Sequence, residues 1–299
     1  MARECTRRQR IRRIKEKRSD VMTFERFKEI DKRVLEAIGL TLDKVRLKSF
    51  SDFALLLASG DYYEVLYTHT NDMSPYVIED PTDELIDDTR QSFLNSFLRK
   101  YINRIKDGVE MYDQELEYEI NIQLMVYTHV WESHWFLKQL ERIAAILTGK
   151  GYVWKSSVMT TPKSSFIREH IIQRLDGKSD LLDIIKRCYS DTLRNDFAHS
   201  SYYIDMGDRA IKSHKHGLLE ENVITFSEWE KMFVNTILLS VDLNNMLFET
   251  KQNFVALFGD GPIVCKWPSR DNPPKKYDRA IRPMPDRANP EYIRFDFVR

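Results

Sequence analysis

An arginine and a histidine with four residues between them stand at the two ends of the segment Arg194-Asn195-Asp196-Phe197-Ala198-His199. Histidine titrates near neutral pH, so His199 could serve as a general base or a general acid. The Arg194 guanidinium stays charged and can hold phosphate oxygens, and Asn195 could orient a phosphate without adding charge. Cleavage of an RNA phosphodiester without a metal ion needs a base, an acid and a fixed cation. The segment is therefore a candidate for that chemistry.

The spacing sets a geometric condition on this pair. Residues five apart on an unbroken α-helix differ by about 140° around its axis, so Arg194 and His199 would not converge. Either the helix ends near Ala198 and the chain bends, or two chains complete one site. One chain supplies one histidine from this motif, whereas the reaction needs both a base and an acid. A homodimer would provide the second histidine.

The same residues also fit a purely structural role. The polar side chains between Asn195 and Ser201 could form hydrogen bonds at a helix end. Arg194 could pair with an acid, and His199 could cap carbonyl groups. A second pair with the same spacing, Arg209 and His214, shows that the spacing alone is not specific. This structural interpretation stays open beside the catalytic one.

Context distinguishes the first pair from the second. Asn195 follows the arginine, the small Ala198 precedes the histidine, and an amphipathic segment leads into the motif. In these features residues 113–258 resemble the HEPN superfamily of helical proteins, many of which are metal-independent ribonucleases. The resemblance implies a homodimer with two Arg/His pairs in one cleft. It also implies that Arg194, Asn195 and His199 are the catalytic residues.

The chemistry and the resemblance together also predict the substrate, the products, the biological role and further partners. Attack by the ribose 2′-hydroxyl would leave a 2′,3′-cyclic phosphate and a 5′-hydroxyl, and the substrate would be single-stranded or loop RNA, in which this hydroxyl can reach in-line geometry. By resemblance, such proteins often serve as toxins or in defence against phage. An antitoxin or regulatory protein would then be a further partner. Other HEPN domains bind RNA or a partner protein without cutting, and this is the alternative function. Residues 1–112 and 262–299 have no part in the resemblance.

Two tyrosines, Tyr202 and Tyr203, follow the motif closely. They are either aromatic platforms on which unpaired RNA bases stack or side chains of the hydrophobic core. We treat them as candidate RNA-binding residues outside the catalytic set.

Other chemistry-bearing residues predict no metal site and no cofactor. His214 and His216 would share one face of a strand, but no third ligand is near. His129 and His134 are five residues apart on a predicted helix, which does not bring two ligands together. The acidic stretch 61–88 lacks the glycine-centred spacing of an EF-hand loop. Walker, dinucleotide and GxSxG motifs are absent from the sequence.

Apolar periodicity predicts helices as the elements that position the motif. Residues 113–258 contain four predicted helices of bundle-forming length, the last starting at a capping box of Thr225 and Glu228. One of them buries Cys188. Upstream, apolar residues at steps of three and four predict a helix from Thr23 that ends at Gly39. The expected fold class is all-α: a HEPN-like helical bundle with an N-terminal helical extension and an extended C-terminal tail.

Composition divides the chain into four regions. These are a basic arm at 1–20, an N-terminal helical region with an acidic connector at 21–112, the HEPN-like bundle at 113–261 and a basic tail at 262–299. The tail holds seven of the ten prolines. We expect it to be extended because so many prolines disfavour regular structure.

The charge distribution and the cysteine content limit which partners and which cellular compartment are expected. Lys+Arg and Asp+Glu both number 46, yet both ends of the chain are basic. Those ends could contact RNA or another polyanion, or could simply be solvated. Three scattered cysteines without a CxxC pair argue against disulfides and fit a reducing cytoplasm. The longest apolar runs are far shorter than the ~18 residues of a membrane span, so we expect a cytoplasmic protein without a membrane partner.

Overall fold

The computed structural model describes residues 22–63, 74–79, 82–108, 113–214, 221–269 and 275–298. Most of these residues lie in helices. In chain order the α-helices are α1 Phe24–Lys48, α2 Phe50–Leu57, α3 Thr82–Asp107, α4 Asp113–Glu132, α5 His134–Leu147, α6 Lys163–Phe166, α7 Gln173–Leu175, α8 Leu181–Cys188, α9 Asp191–Ala198, α10 Phe226–Gln252 and α11 Phe254–Phe258. A π-helix, Ile167–Ile172, joins α6 to α7.

Eight strands form three antiparallel sheets in the described parts of the chain. In sheet order they are β1 Asp61–Tyr62 and β2 Tyr76–Val77; β3 Tyr202–Asp205, β4 Ala210–His214 and β5 Glu221–Thr225; and β6 Ile263–Pro268, β7 Lys276–Pro285 and β8 Ile293–Phe297. The expected all-α fold class is therefore wrong. The protein combines helices with antiparallel sheets.

The proline-rich segment after residue 262 is largely a sheet, so the expectation of an extended tail is also wrong. Alternate residues of β6, from Ile263 to Trp267, are buried, which is the two-residue period of a strand. Strand β7 pairs with β6 up to Ile281 and with β8 from that residue onward. Pro283 and Pro285 thus lie where β6 no longer pairs with β7. An unpaired strand edge tolerates proline because no partner needs its missing N–H group.

This C-terminal sheet packs onto the helices and helps to close the core. The Trp267 ring lies 4.3 Å from that of Trp154, and the Phe295 ring lies 5.0 Å from that of Phe254. The backbone N–H of Phe295 donates a hydrogen bond of 2.7 Å to Glu79 Oε1. The last strands of the chain are therefore part of the folded body.

Helices α1 and α10 pack against each other along their length. Gly39, predicted to end the first helix, instead lies inside α1. A Cβ atom at this position would lie 3.4 Å from Met246 Cε, so the missing side chain lets α10 approach closely. The predicted capping box of Thr225 and Glu228 at the start of α10 is confirmed.

One hydrophobic cluster includes buried side chains from α1, α2, α4, α5, α8 and α10. Cys188, at the end of α8, is fully buried in it, as predicted. None of the helices in the described residues is long and apolar enough to cross a membrane. The basic arm 1–20 and residues 64–73 of the acidic connector lie outside the described residues.

Asp242 on α10 is a buried carboxyl group whose Oδ2 has no hydrogen-bond partner among the described residues. Burial, and then the charge of Asp31 on α1, raise the pKa of Asp242 to about 7. In an unfolded chain an aspartate titrates near 3.9. Between about pH 4 and pH 7 the unfolded state therefore loses a proton that the folded state keeps. The stability of the fold falls as the pH rises through this window.

We expect Asp242→Asn to remove this pH dependence. One pKa unit corresponds to about 1.4 kcal/mol, so the variant should gain about 2–3 kcal/mol over the wild type between pH 5 and pH 8. Urea unfolding at the two pH values measures the gain, and Asp43→Asn, at an exposed position, is the matched control. An equal pH dependence in the wild type and Asp242→Asn would contradict the assignment to Asp242.

Candidate active site

The motif lies on α9, a helix of two turns that ends where the chain bends. Its N-cap is Ser190. At the other end α9 stops at Ala198, where the φ angle of Ser200 is +53° and the N–H of Ser201 donates to the Asp196 carbonyl at 2.8 Å. A left-handed residue with this returning hydrogen bond is a common way to end a helix. Of the two alternatives that the spacing leaves, the structure shows the helix end at Ala198. The contribution of a second chain stays a prediction.

Arg194 extends from α9 to the end of α4. Its guanidinium forms an ion pair with Glu132, the last residue of α4, and Nη2 donates to Asn195 Oδ1 at 3.1 Å. Asp191 Oδ1 lies 3.7 Å from the same nitrogen. The Arg194 side chain is 11% exposed, and its Nε has no hydrogen-bond partner among the described residues. The guanidinium is thus held in one direction while one N–H group stays unused.

His199 is the C-cap residue of α9, and its side chain is exposed. Its backbone N–H donates to the Asn195 carbonyl at 2.9 Å. The structure brings Arg194 and Asn195 into contact, but it shows no hydrogen bond from either side chain to the His199 ring. The structural interpretation is met for Arg194, which pairs with an acid. His199 caps the helix through its backbone, and its imidazole remains on the surface.

A second cation, Lys163, lies within electrostatic range of this ion pair. It is the first residue of α6, and its Nζ donates to the Val158 carbonyl. Burial lowers the pKa of Lys163, the Arg194 cation lowers it further, and the Glu132 carboxylate opposes both. With Glu132 and Asp191 both beside Arg194, the cluster holds two cations and two carboxylates.

Glu132 and Lys163 cannot be predicted as site residues from the sequence. Both are far from Arg194 along the chain, and the fold alone brings three different helices together at this point. The sequence around each residue gives only a weak signal, because Glu132 is the last residue of a long helix and Lys163 is the first residue of a short one.

The second sheet anchors α9 from the side opposite its N-cap. The Ser213 hydroxyl on β4 donates a hydrogen bond to Asp196 Oδ2. The Phe197 ring lies 5.4 Å from the ring of Tyr202 on β3. A strand pair therefore fixes the last turn of α9, from which His199 emerges.

The two tyrosines after the motif differ in their contacts. The Tyr202 hydroxyl donates to Asn121 Oδ1 on α4 at 2.7 Å, and burial raises the pKa of this hydroxyl. Tyr203, on the other face of β3, is 44% exposed. Tyr202 therefore holds the hairpin against α4, whereas Tyr203 presents its ring on the surface. Base stacking by either tyrosine stays a prediction.

The other candidate residues are not brought together as a site. His129 lies on α4 and His134 on α5, with a break at Ser133 between them. The His214 side chain, and residues 215–220 with His216, lie outside what the structure describes. Within the described ranges, no three His, Cys, Asp or Glu side chains are grouped so that they could hold a metal ion. Arg209 lies in the turn between β3 and β4, with its guanidinium 5.4 Å from the Phe226 ring centre.

A separate polar cluster surrounds Glu141, which is buried on α5. His170 Nδ1 lies 2.7 Å from Glu141 Oε1, and the Ser156 hydroxyl donates to Oε2 at 2.6 Å. His170 belongs to the π-helix, and its ring stacks on Phe166 at 4.9 Å. The Glu141 carboxylate thus holds the His170 ring through Nδ1, and this contact does not involve the other ring nitrogen, Nε2. No motif in the sequence marks this pair.

Comparisons of the chain with models of protein families, with curated proteins and with solved structures give no match. A fold class does not by itself assign an activity. The side chains around Arg194 and His199 are therefore the features of this chain that bear on its function.

Proposed function

We propose that this chain is a metal-independent endoribonuclease of the HEPN type. The observation that carries the proposal is the end of α9 at Ala198, which leaves the His199 imidazole exposed five residues after Arg194, whose guanidinium is oriented by Glu132 and Asn195. The motif and its resemblance to HEPN ribonucleases support the same assignment. The substrate is single-stranded or loop RNA, in which the 2′-hydroxyl can reach the in-line position for attack.

Each side chain has a defined role in this reaction. His199, acting as base, takes the proton of the ribose 2′-hydroxyl, whose oxygen attacks the adjacent phosphorus. The bond from phosphorus to the 5′ oxygen breaks, and a general acid protonates that oxygen. Arg194 neutralises the charge of the phosphorane, and Asn195 keeps the guanidinium oriented. The products carry a 2′,3′-cyclic phosphate and a 5′-hydroxyl.

A homodimer completes the proton transfers. The motif of one chain has one histidine, so a second copy supplies the acid when the first supplies the base. The exposed position of His199 supports this arrangement, because a second chain can reach it. RNA and a second copy are thus the proposed partners, with an antitoxin or regulatory protein as a further one. A cytoplasmic toxin or phage-defence effector is the proposed biological role.

Binding of RNA or a protein without cleavage is the second candidate function. The ion pair between Arg194 and Glu132 favours it. A guanidinium that is mostly buried and already paired with a carboxylate holds a phosphate less strongly than an unpaired one. Under this alternative the wild type binds RNA in a salt-dependent way and does not cut it.

A cleavage assay with EDTA present tests the proposal. One single-stranded RNA is compared with the same strand carrying a 2′-deoxynucleotide at the cleaved position. We expect the RNA to be cut, with cyclic phosphate and 5′-hydroxyl ends, and the deoxy position to resist because the nucleophile is missing. Products with 5′-phosphate ends, or cutting at the deoxy position, would contradict the mechanism. Salt-dependent RNA binding without any cutting would favour the second function.

A further inference from the structure

Helices α2, α3, α5 and α10 surround a cavity of about 270 Å³ that is partly open to the surface. The volume is close to the lower end of the range of about 300–1,000 Å³ found for small-molecule pockets. None of the motif residues lines this cavity. It is therefore a second candidate site, separate from α9.

Two glutamine side chains bring unpartnered polar atoms to the cavity wall. Gln139 on α5 is 1% exposed, and its Oε1 accepts no hydrogen bond from the described residues. Gln91 on α3 has a buried Nε2 that donates no hydrogen bond to them. Buried polar groups in folded proteins are nearly always hydrogen-bonded. A wall with one unpartnered acceptor and one unpartnered donor suits a ligand that offers both.

The rest of the wall consists of aromatic, aliphatic and uncharged polar side chains together with two cations. Trp135 on α5 and Phe248 on α10 supply ring surfaces. Lys251 is ion-paired with Glu79, and Arg90 is also engaged with another group. Since both cations of the wall have partners, the cavity favours a neutral, planar ligand over a phosphate.

We propose that this cavity binds a nucleobase, carried either by a nucleoside or by an unpaired nucleotide of RNA. Nucleobases are planar and carry donors and acceptors on one edge, which amide side chains recognise while aromatic rings stack on the base. Gln139 accepts a hydrogen bond from the base, and Gln91 donates one to it. Binding here does not depend on cleavage at α9, so the proposal can fail or succeed independently of the ribonuclease activity.

Calorimetric titration of the full chain tests the proposal. The ligands are adenosine, guanosine, cytidine and uridine, each titrated separately, and a short single-stranded RNA. We expect saturable binding of at least one nucleoside. Gln139→Leu removes the acceptor with little change in volume and should weaken that binding by about tenfold or more. Gln173→Leu, at an exposed position outside the cavity, is the matched control and should bind like the wild type.

A second readout separates a ligand-binding glutamine from a structural one. Without ligand, Gln139→Leu should unfold at a higher urea concentration than the wild type, because an unpartnered buried polar atom is gone. Binding of the RNA alone, lost in Gln139→Leu, would place a base of the RNA in the cavity and support the proposal. Equal binding by the wild type and Gln139→Leu, or no binding of any of these ligands, overturns it. A lower urea midpoint would assign Gln139 to the fold and also overturn it.

Discussion

Replacement of His199 by alanine is expected to lower the rate of RNA cleavage by a factor of about 10²–10⁴. The His199 imidazole is exposed, and its contacts at the end of α9 use the backbone N–H, which alanine keeps. The variant should therefore fold like the wild type and lose only its proton-transfer group. Single-turnover cleavage of one RNA with EDTA present measures the rate, and urea unfolding verifies the fold.

The matched control for this experiment is Arg209→Ala, because Arg209 begins the other Arg-x4-His spacing in the chain. Its guanidinium lies over the Phe226 ring in the hairpin turn, so cleavage should continue at the wild-type rate. Unchanged cleavage by the His199→Ala protein would assign the activity to another site or to a contaminant. Loss of cleavage in Arg209→Ala would move the site to the hairpin.

Asp61→Asn is expected to lower the free energy of unfolding by about 3–5 kcal/mol. Asp61 is buried, with Lys138 Nζ at 2.7 Å and Arg142 Nη2 at 3.3 Å from its Oδ2. Asparagine leaves these two buried cations without their carboxylate. Urea unfolding at neutral pH measures the loss. The same replacement at Asp43, whose ion pair with Arg46 is more exposed, should change stability by less than about 0.5 kcal/mol.

The acid sensitivity of the wild type provides a second check on this group. Burial raises the pKa of Asp61, but Arg142 and Lys138 outweigh burial and hold the pKa below its usual value. Such a carboxyl contributes its full stability above the unfolded pKa near 3.9 and loses it as the pH falls through the folded pKa. The stability difference between the wild type and Asp61→Asn should therefore shrink below about pH 4. A difference that stays constant on acidification would contradict the charge of Asp61 as its cause.

Helices could be predicted from the sequence where their signals are local. Thr23 caps the start of α1 and the Thr225 box starts α10, because each signal lies within a few residues. The sheets could not be predicted in the same way. In 262–299 the many prolines suggest an extended tail, and the alternation in β6 covers only six residues. What makes this segment a sheet is its pairing with strands further along the chain, which no local pattern shows.

In the candidate site, too, the features that depend on neighbouring residues could be predicted, and those that depend on tertiary packing could not. Arg194, Asn195 and His199 are identified by residue type and spacing, and the contact between Arg194 and Asn195 joins neighbours in the chain. The ion pair with Glu132 is a product of tertiary packing. So is the burial of Gln139, since nothing about a glutamine within a helix indicates that the fold will leave its oxygen unpartnered.

The packing of α1 against α10 has a consequence for the synthesis of this chain. Val34 and Ile38 on α1 are completely buried in the finished protein. At roughly 5–20 residues per second, a ribosome needs about 10–40 seconds to pass from the end of α1 to the start of α10. During that time the apolar side of α1 lacks the helix that will cover it. The growing chain therefore completes its core late in translation, and until then it is a natural client for chaperones.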